Sequence, residues 1–348
     1  MREYSKMSLL YRNETEELFF YKGKLFYFNT NQKQTCSLHC GFFSRFHFSS
    51  RLMRLEPRIV SKLSNNDFLI AHKGKIYNYS PSSNSLTIEH CFCSGMSAPL
   101  YFCEKTTNGI IDIFYGEYYQ KTSGKPLAIF KRNGADKKWS KVFEFAPGTI
   151  KHIHNILFDE AKSRFLIFTG DNDSESGIWE ADLDFKKVKP ILCGSQNYRA
   201  CFGFIKGDWL YYLTDMPDKI NSAFKVNLNT REIVLLDSIA GPCIHGVALE
   251  SNCFFATSVE PKSTLGKIRY FLSTKPGDGI SDRFSHLYRF DGDKVFEISK
   301  IKKDAFPFAL FQFGDIFFSK GMHSDVFFYT QALKHGYGKT YVIKEGEI

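Results

Sequence analysis

Histidine, tyrosine and arginine side chains recur in the middle of this chain at intervals of roughly 45 residues. The candidate catalytic residues are His152, His154, Tyr198, Arg199 and His245. An imidazole or a phenol can take up or release a proton, and a guanidinium can neutralise a carboxylate. Together these groups suit removal of the proton beside the carboxylate of a uronic acid. Each histidine could instead satisfy a local backbone partner, which is a common role of imidazole.

Within this set we expect distinct roles. His152 or His154 would be the base, Tyr198 would give a proton to the leaving oxygen, and Arg199 would hold the sugar carboxylate, with His245 in support. The sequence repeat, described below, aligns His154, Arg199 and His245 at equivalent positions. This recurrence favours a shared site over three unrelated structural roles.

Other charged residues are candidates for substrate binding. The basic ones precede an early apolar segment and the acidic ones follow later apolar segments; they are Arg45, His47, Arg51, Arg54, Asp171, Asp173 and Asp215. With Glu175, the acidic group resembles part of a calcium loop, but the glycine and the distal glutamate of that loop are missing. A solvated turn with side-chain-to-backbone hydrogen bonds is the alternative. A carboxylate from this group could also serve as the general acid of a hydrolase, paired with Tyr198 as nucleophile or with another carboxylate.

The elements that would position these residues are short apolar strands separated by polar turns. Arg164 to Thr169, Asp208 to Thr214 and Asn252 to Thr257 illustrate one strand of the repeat, and two further strands follow each of them. One more strand precedes each group, as in residues 153–158. Four strands at a period of roughly 45 residues predict the blade of a β-propeller. A tandem of β-sandwiches is the alternative, but it predicts no single period.

The repeat gives an all-β fold: one seven-bladed β-propeller of four-stranded antiparallel blades, forming a single domain over residues 1–348. The predicted blades span residues 6–40, 52–93, 98–146, 151–194, 198–238, 242–299 and 305–347. In the last blade, residues 308–313 are expected as the first strand. The segment from Pro261 to Arg283 is predicted to be a loop inserted in the sixth blade. Loops at one face of the ring would then bring the candidate residues together.

Composition agrees with a β fold and limits the partners. The chain has 348 residues, including 36 Phe and 18 Tyr, and aromatic residues favour strands. The net charge of +9 is spread along the chain without a long basic block, so we expect no nucleic-acid partner. An acidic glycan fits the positive charge. The sequence leaves the oligomeric state open.

Metal binding and cellular location receive weaker indications. The nine cysteines fit no disulfide scaffold, which favours a reducing compartment. We expect no cofactor, although calcium or zinc is left open, zinc at a shared site built from Cys36, His39, Cys40, His90, Cys91 and Cys93. The first residues lead into no long apolar run, and no stretch is long enough to span a membrane. We therefore expect a cytoplasmic protein.

Residues 150–220 carry a resemblance to a known family. Thr169 to Asp173, Gly177 to Trp179 and Ser195 to Arg199 resemble bacterial propellers of the sialidase-like, BNR-repeat type, often described as glycosyl hydrolases. Asn172 to Trp179 looks like a degenerate Asp-box turn. Seven-bladed propellers also include polysaccharide lyases that act on uronate polymers with His, Tyr and Arg, and the present candidate residues are similar to that set.

The resemblance and the residues lead to one expected function with two rivals. We expect a carbohydrate-active enzyme that cleaves an acidic glycan by β-elimination. A sialidase-like glycoside hydrolase is one alternative. The other is a non-catalytic propeller that binds glycan or protein, in which Phe42, Phe43, Tyr118 and Tyr119 would stack on sugars or contact a partner. A serine hydrolase is disfavoured because Gly194-Ser195-Gln196 lacks the second glycine of a nucleophile elbow.

Overall fold

Seven four-stranded antiparallel sheets form the protein. The computed structural model describes residues 1–38, 40–119, 124–249, 252–321, 323–334 and 336–347. The arrangement is a seven-bladed β-propeller, as the repeat predicted. Among the described residues, no helix has the length and apolar character needed to cross a membrane.

The strands follow the chain in blade order, apart from the N-terminal strand β1 (Arg2–Ser5). Blades one to three contain β2 (Ser8–Arg12), β3 (Glu16–Tyr21), β4 (Lys24–Asn29), β5 (Lys33–Ser37), β6 (Ile59–Lys62), β7 (Phe68–His72), β8 (Lys75–Ser80), β9 (Ser85–Cys91), β10 (Cys103–Thr107), β11 (Ile110–Gly116), β12 (Leu127–Arg132) and β13 (Trp139–Phe145).

Blades four to six contain β14 (His152–Asp159), β15 (Arg164–Gly170), β16 (Gly177–Ala181), β17 (Val188–Cys193), β18 (Ala200–Lys206), β19 (Trp209–Thr214), β20 (Asn221–Asn227), β21 (Ile233–Ile239), β22 (Cys243–Ala248), β23 (Cys253–Thr257), β24 (Phe284–Asp291) and β25 (Lys294–Lys302). Blade seven contains β26 (Asp315–Phe318), β27 (Val326–Gln331) and β28 (Thr340–Ile343), together with β1.

Blade seven differs from the sequence prediction. Residues 308–313 form a turn and irregular loop in place of a strand, and β26 takes the innermost position of the sheet. The fourth strand comes from the N-terminus, because Arg2 pairs with Val342 and Glu3 with Tyr341. The two ends of the chain therefore close the ring through backbone hydrogen bonds within one sheet.

Two short helices interrupt the strand pattern. Helix α1 (His47–Met53) follows a 3-10 turn (Phe42–Arg45) between blades one and two. Helix α2 (Lys267–Leu272) lies in the insertion of blade six that the sequence predicted as a loop. Further 3-10 turns span Gln196–Tyr198 and Glu345–Glu347.

Alternating side chains along each second strand fill the spaces between blades. In β15, Phe165 and Ile167 pack against Ile153 and the side chains of blade three, whereas Leu166 and Phe168 pack against blade five. Successive residues of a strand point to opposite faces, so one strand joins two interfaces. Full burial of each such side chain contributes about 1.5–3 kcal/mol. These interfaces hold the first strands, which carry the candidate residues, in fixed positions around the axis.

Candidate active site

A carboxylate at the end of β15 is the centre of the site. Asp171 Oδ2 lies 3.3 Å from His152 Nδ1 and 3.0 Å from Lys151 Nζ. Its Oδ1 lies 3.4 Å from His154 Nε2 and 3.3 Å from Arg199 Nη2. Burial by itself would raise the pKa of Asp171, but its close contacts with both histidines and the charge of Arg199 hold it well below its usual range. Asp171 is therefore ionised in the folded protein at neutral pH.

Local backbone irregularity brings the two histidines to this carboxylate. The pairing of β14 with β15 shifts register between Ile153 and Asn155, so His154 occupies a bulge. A bulge re-aims the side chain of the extra residue. Gly170 makes room for it, because a Cβ there would lie 2.5 Å from His154 Cε1. His152 and His154, two residues of the same strand, thus each approach a different oxygen of Asp171.

Arg199 bridges two carboxylates of adjacent blades. Its guanidinium lies 3.3 Å from Asp171 Oδ1 and 3.2 Å from Asp215 Oδ2, and Nη1 donates to the Asp171 carbonyl oxygen at 3.2 Å. Burial would lower the pKa of Arg199, but Asp215 and Asp171 raise it overall. The Cys201 thiol donates to Asp215 Oδ2 at 3.4 Å. The arginine predicted to hold a substrate carboxylate is therefore already held by two carboxylates of the protein.

The hydrogen-bonding states of the two histidines differ. His154 Nδ1 lies 3.1 Å from the Ala200 carbonyl oxygen, which can only accept, so Nδ1 carries the proton and Nε2 faces Asp171. Among the described residues, neither nitrogen of His152 makes a well-aligned hydrogen bond, although Nδ1 is within ion-pair distance of Asp171. Because a hydrogen bond weakens steeply with angle, the short distance alone does not make this contact a strong hydrogen bond. Buried polar atoms without an aligned partner are uncommon and call for a ligand or a charge nearby.

The site also contains two residues that the sequence analysis did not assign to it. The Tyr118 ring packs against His152 at a tilt of 44°, with ring centroids 4.3 Å apart, and burial, followed by the charge of Asp171, raises the pKa of its phenol well above the usual range. Glu260 accepts a hydrogen bond from the Ser258 hydroxyl. Burial and then the charge of Asp215 raise the pKa of Glu260 to about 8. Tyr118 is thus a proton donor at neutral pH, and Glu260 can exchange a proton near pH 8.

The repeat itself contained the signal for these residues. Tyr118, Asp171, Asp215 and Glu260 all follow the second strand of their blades within three residues, after β11, β15, β19 and β23. Aligning the ends of the second strands would therefore have gathered all four. The alignment of first strands favoured histidines instead.

His245 and Tyr198 are not joined to this cluster. His245 packs against Phe317 with tilted rings whose centroids are 4.1 Å apart, and burial, followed by the charges of Arg58 and Lys320, lowers its pKa to about 3. Its β partner is Ala256, which makes it equivalent to Asn155 and corrects the predicted equivalence with His154. Tyr198 ends a 3-10 turn. In the part of the chain that the structure describes, no hydrogen bond, ion pair or ring contact links either residue to Asp171.

The four basic candidates near α1 also lie apart from Asp171. Arg51 pairs with Asp304 at 2.7 Å and donates to the Phe311 carbonyl oxygen, and Arg54 donates to the Ala309 carbonyl oxygen at 2.7 Å. Arg45 lies over the Phe42 ring, and His47 packs edge-on to Tyr337. Arg51 and Arg54 therefore hold the segment before β26. Neither Arg45 nor His47 contacts a described member of the Asp171 cluster.

Asp173, by contrast with Asp171 and Asp215, belongs to an exposed turn. Its Oδ1 accepts a hydrogen bond from the Gln196 backbone N–H at 3.0 Å and lies 3.5 Å from Lys219 Nζ. Glu175 accepts hydrogen bonds from Asn172 within the same turn. These contacts are those of a turn rather than of a calcium loop, and neither residue belongs to a metal-competent group among the described residues.

The donor atoms at Asp171 fit a divalent cation. Ligand atoms of His152, His154 and Asp171 all lie within 4.8 Å of one another, and those of His154, Cys201 and Asp215 form a second such group. Two ligands of a tetrahedral cation with bonds of about 2.0–2.1 Å are about 3.3 Å apart. The two nitrogen-to-carboxylate distances, 3.3 and 3.4 Å, match that separation. The unaligned nitrogens of His152 add an independent indication.

The zinc site suggested by cysteines near blades one and two is not assembled among the described residues. Cys40 Sγ lies 3.4 Å from His72 Nε2 and donates to the Leu55 carbonyl oxygen. His90 stacks on Trp139, with its Nε2 2.8 Å from the Tyr115 hydroxyl. His39 lies outside the described residues. No group of three metal ligands includes Cys36, Cys40, Cys91 or Cys93 in the described ranges.

Comparison with known proteins gives a fold relationship. No protein-family model and no curated protein matches the sequence. An oligogalacturonate lyase in complex with manganese is similar in structure, with a TM-score of 0.60, 8% identity, and coverage of 98% of this chain and 89% of that one. The oligogalacturonate lyase of Vibrio parahaemolyticus is similar with a TM-score of 0.53 and 9% identity, over 87% of this chain and 79% of that one. A chain of the mitotic checkpoint complex is similar with a TM-score of 0.53 and 9% identity, over 97% of this chain and 89% of that one. The fold is thus shared by lyase and non-lyase propellers, and the sialidase-like type is not confirmed.

Proposed function

We propose that this protein cleaves an acidic oligosaccharide by β-elimination. The observation that carries the proposal is the convergence of His152, His154 and Arg199 on Asp171, beside Tyr118 and Glu260. This cluster gathers, at the inner strands of adjacent blades, groups that can bind a cation and move protons. Structural similarity to two oligogalacturonate lyases supports the substrate class, although their identity to this chain is 9% or less.

The two histidines and Asp171 would hold a divalent cation. The manganese complex of one lyase neighbour supports this assignment, and nitrogen with carboxylate oxygen is a donor set that suits such metals. When bound, the cation supplies positive charge that neutralises a uronate carboxylate. His152 and His154 are only 4% and 2% exposed, so they are better placed to ligate than to meet the sugar carbon themselves. Lys151, whose side chain is 34% exposed, adds a second positive charge.

Glu260 and Tyr118 are the proposed proton carriers. Ionised Glu260 removes the proton beside the uronate carboxylate, and the released electron pair forms a carbon–carbon double bond. The bond from the neighbouring carbon to the glycosidic oxygen breaks, and Tyr118 donates its proton to that oxygen. A carboxylate whose pKa lies near 8 is a stronger base than an ordinary one, because burial disfavours its charged form. Arg199 positions Asp171 and Asp215 and does not contact the substrate.

The test is to incubate the protein with uronate oligosaccharides and Mn²⁺ and to follow the ultraviolet absorbance of the new double bond. We expect product from the wild type, and a loss of at least about 100-fold in Glu260→Gln, since general-base catalysis contributes 10²–10⁴-fold. Glu232→Gln, on an exposed turn, is the matched control and should keep full activity. Absence of product from every uronate oligosaccharide would refute the proposal, and saccharide binding without cleavage would show a non-catalytic propeller.

A further inference from the structure

The insertion between blades one and two exposes an unusual number of apolar side chains. Phe42, Phe43, Phe46 and Phe48 are 53–61% exposed. Leu52 and Met53, at the end of α1, are 42% and 43% exposed. Six large apolar side chains within twelve residues are thus exposed, and the Phe42 ring contacts those of Phe43 and Phe46. Clustered exposed apolar side chains mark interaction surfaces. We call residues 42–53 the aromatic insertion.

The aromatic insertion is firmly attached to the propeller. Ser44 is buried against the hairpin of blade one, where a Cβ on Gly23 would collide with its hydroxyl. Arg51 anchors α1 through Asp304 and the Phe311 carbonyl oxygen. The Phe48 ring packs on Phe311 with centroids 4.6 Å apart. The exposed rings are therefore presented by a fixed scaffold.

Unpaired positive charges lie beside these rings. Lys22 and Lys24, on the blade-one hairpin, and Arg45 surround a shallow depression that Phe42 and Phe46 also line. In the described ranges, no carboxylate comes within 4.0 Å of the charged nitrogens of these three residues. The surface is thus apolar at its tips and uniformly basic at its edge.

We propose that the aromatic insertion docks the protein on an anionic lipid bilayer. Apolar tips enter the boundary between headgroups and acyl chains, and the cations meet anionic headgroups. A bound sugar would stack on the face of one aromatic ring and hydrogen-bond to polar groups in the depression. Sugar binding would therefore not account for the exposure of Phe43, Phe48, Leu52 and Met53. A bilayer accounts for all six apolar side chains and for the unpaired cations together. The proposal is independent of the chemistry at Asp171.

Co-sedimentation of the full chain with vesicles tests this inference. We expect binding to vesicles of phosphatidylcholine with phosphatidylserine and much weaker binding to phosphatidylcholine alone. Lys24→Glu should weaken the partition coefficient at least about fivefold, the effect of one basic charge near an anionic surface. Phe42→Ser with Phe46→Ser should abolish binding. Leu235→Ser, at an equally exposed apolar position of blade five, and Lys294→Glu are matched controls that should bind like the wild type.

Light scattering of the same protein samples measures the oligomeric state and so distinguishes a bilayer from a second copy of the chain as the partner of the aromatic insertion. A monomer that binds anionic vesicles, with the stated loss in the two insertion variants, supports the proposal. A wild-type dimer that becomes monomeric in the Phe42→Ser and Phe46→Ser double variant, without vesicle binding, would show that a second copy covers the surface. Equal binding of wild type and insertion variants, or no binding by any of them, would also overturn the proposal.

Discussion

Two clusters of histidine and carboxylate in this propeller have the same residue types but opposite ratios. At Asp171, two imidazoles and two cations share one carboxylate. At His286, on β24, one imidazole lies between two carboxylates, 2.9 Å from Asp282 and 2.7 Å from Glu297. Both nitrogens of His286 are therefore occupied by partners within the protein, so the ring has no atom left for a ligand. The Asp171 cluster keeps unaligned imidazole nitrogens and is the one suited to chemistry.

The surroundings of the two clusters reinforce the difference. His286 lies in the outer half of blade six, and burial, which would raise the pKa of Asp282, is outweighed by its hydrogen bond from His286. This is a closed structural contact. The Asp171 cluster joins first and second strands of adjacent blades, where Tyr118 and Glu260 add groups with raised pKa values. Functional sites typically bring together groups with lowered pKa values, as at Asp171, and groups with raised pKa values, as at Tyr118 and Glu260.

Asp171→Asn should produce the largest effect. The amide removes the charge that unites both histidines, Lys151 and Arg199, so we expect lyase activity and Mn²⁺ affinity to fall by at least about 100-fold. Calorimetric titration with Mn²⁺ and the absorbance assay measure the two losses. Asp184→Asn, in an exposed turn of the same blade, is the control. Unchanged Mn²⁺ affinity in Asp171→Asn would contradict the assignment of this carboxylate as a ligand.

Glu260 should make stability depend on pH in an unusual direction. Its pKa is about 8 in the folded chain, against an ordinary value of 4.5, so the unfolded chain releases this proton first. The contribution of Glu260 to stability is therefore fully present below pH 4.5 and is lost as pH rises toward 8. In urea unfolding between pH 5 and pH 9, Glu260→Gln should lose less stability with rising pH than the wild type. Parallel pH curves would show that Glu260 is not held protonated.

His286→Gln should give the smallest effect and one confined to stability. The variant loses two hydrogen bonds to partly exposed carboxylates, so we expect the free energy of unfolding to fall by about 1–3 kcal/mol. The urea midpoint measures the fall, and kcat for the acidic oligosaccharide should stay within about twofold. A large loss of kcat with intact stability would erase the distinction between the two clusters.

The repeat of strands was predictable because its signals are local. Each blade is marked by short apolar strands that end in turn residues, and Lys22-Gly23 and Lys73-Gly74 adopt the positive φ values that a tight hairpin requires. Blade seven was not predictable in the same way. Its fourth strand comes from Arg2–Ser5, whose partners lie more than 330 positions away along the chain, and no local pattern records such a partner.

The site was predictable only in part, for a similar reason. His152, His154, Arg199, Asp171 and Asp215 were all singled out by residue type, yet their mutual arrangement depends on the bulge at His154 and on the space beside Gly170. A bulge changes which residue faces a neighbour without leaving a sequence signature. That is why the alignment paired His154 with His245 and passed over Asn155. Helix α1 also escaped prediction, because its apolar side chains face solvent rather than a core.

A crystal structure with Mn²⁺ and a uronate oligosaccharide bound to the Glu260→Gln variant tests the account most directly. The account predicts a cation held by His152, His154 and Asp171, with the uronate carboxylate beside it and the sugar between Gln at position 260 and Tyr118. A saccharide bound at another face, or a cation absent from the three ligands at saturating Mn²⁺, would contradict it.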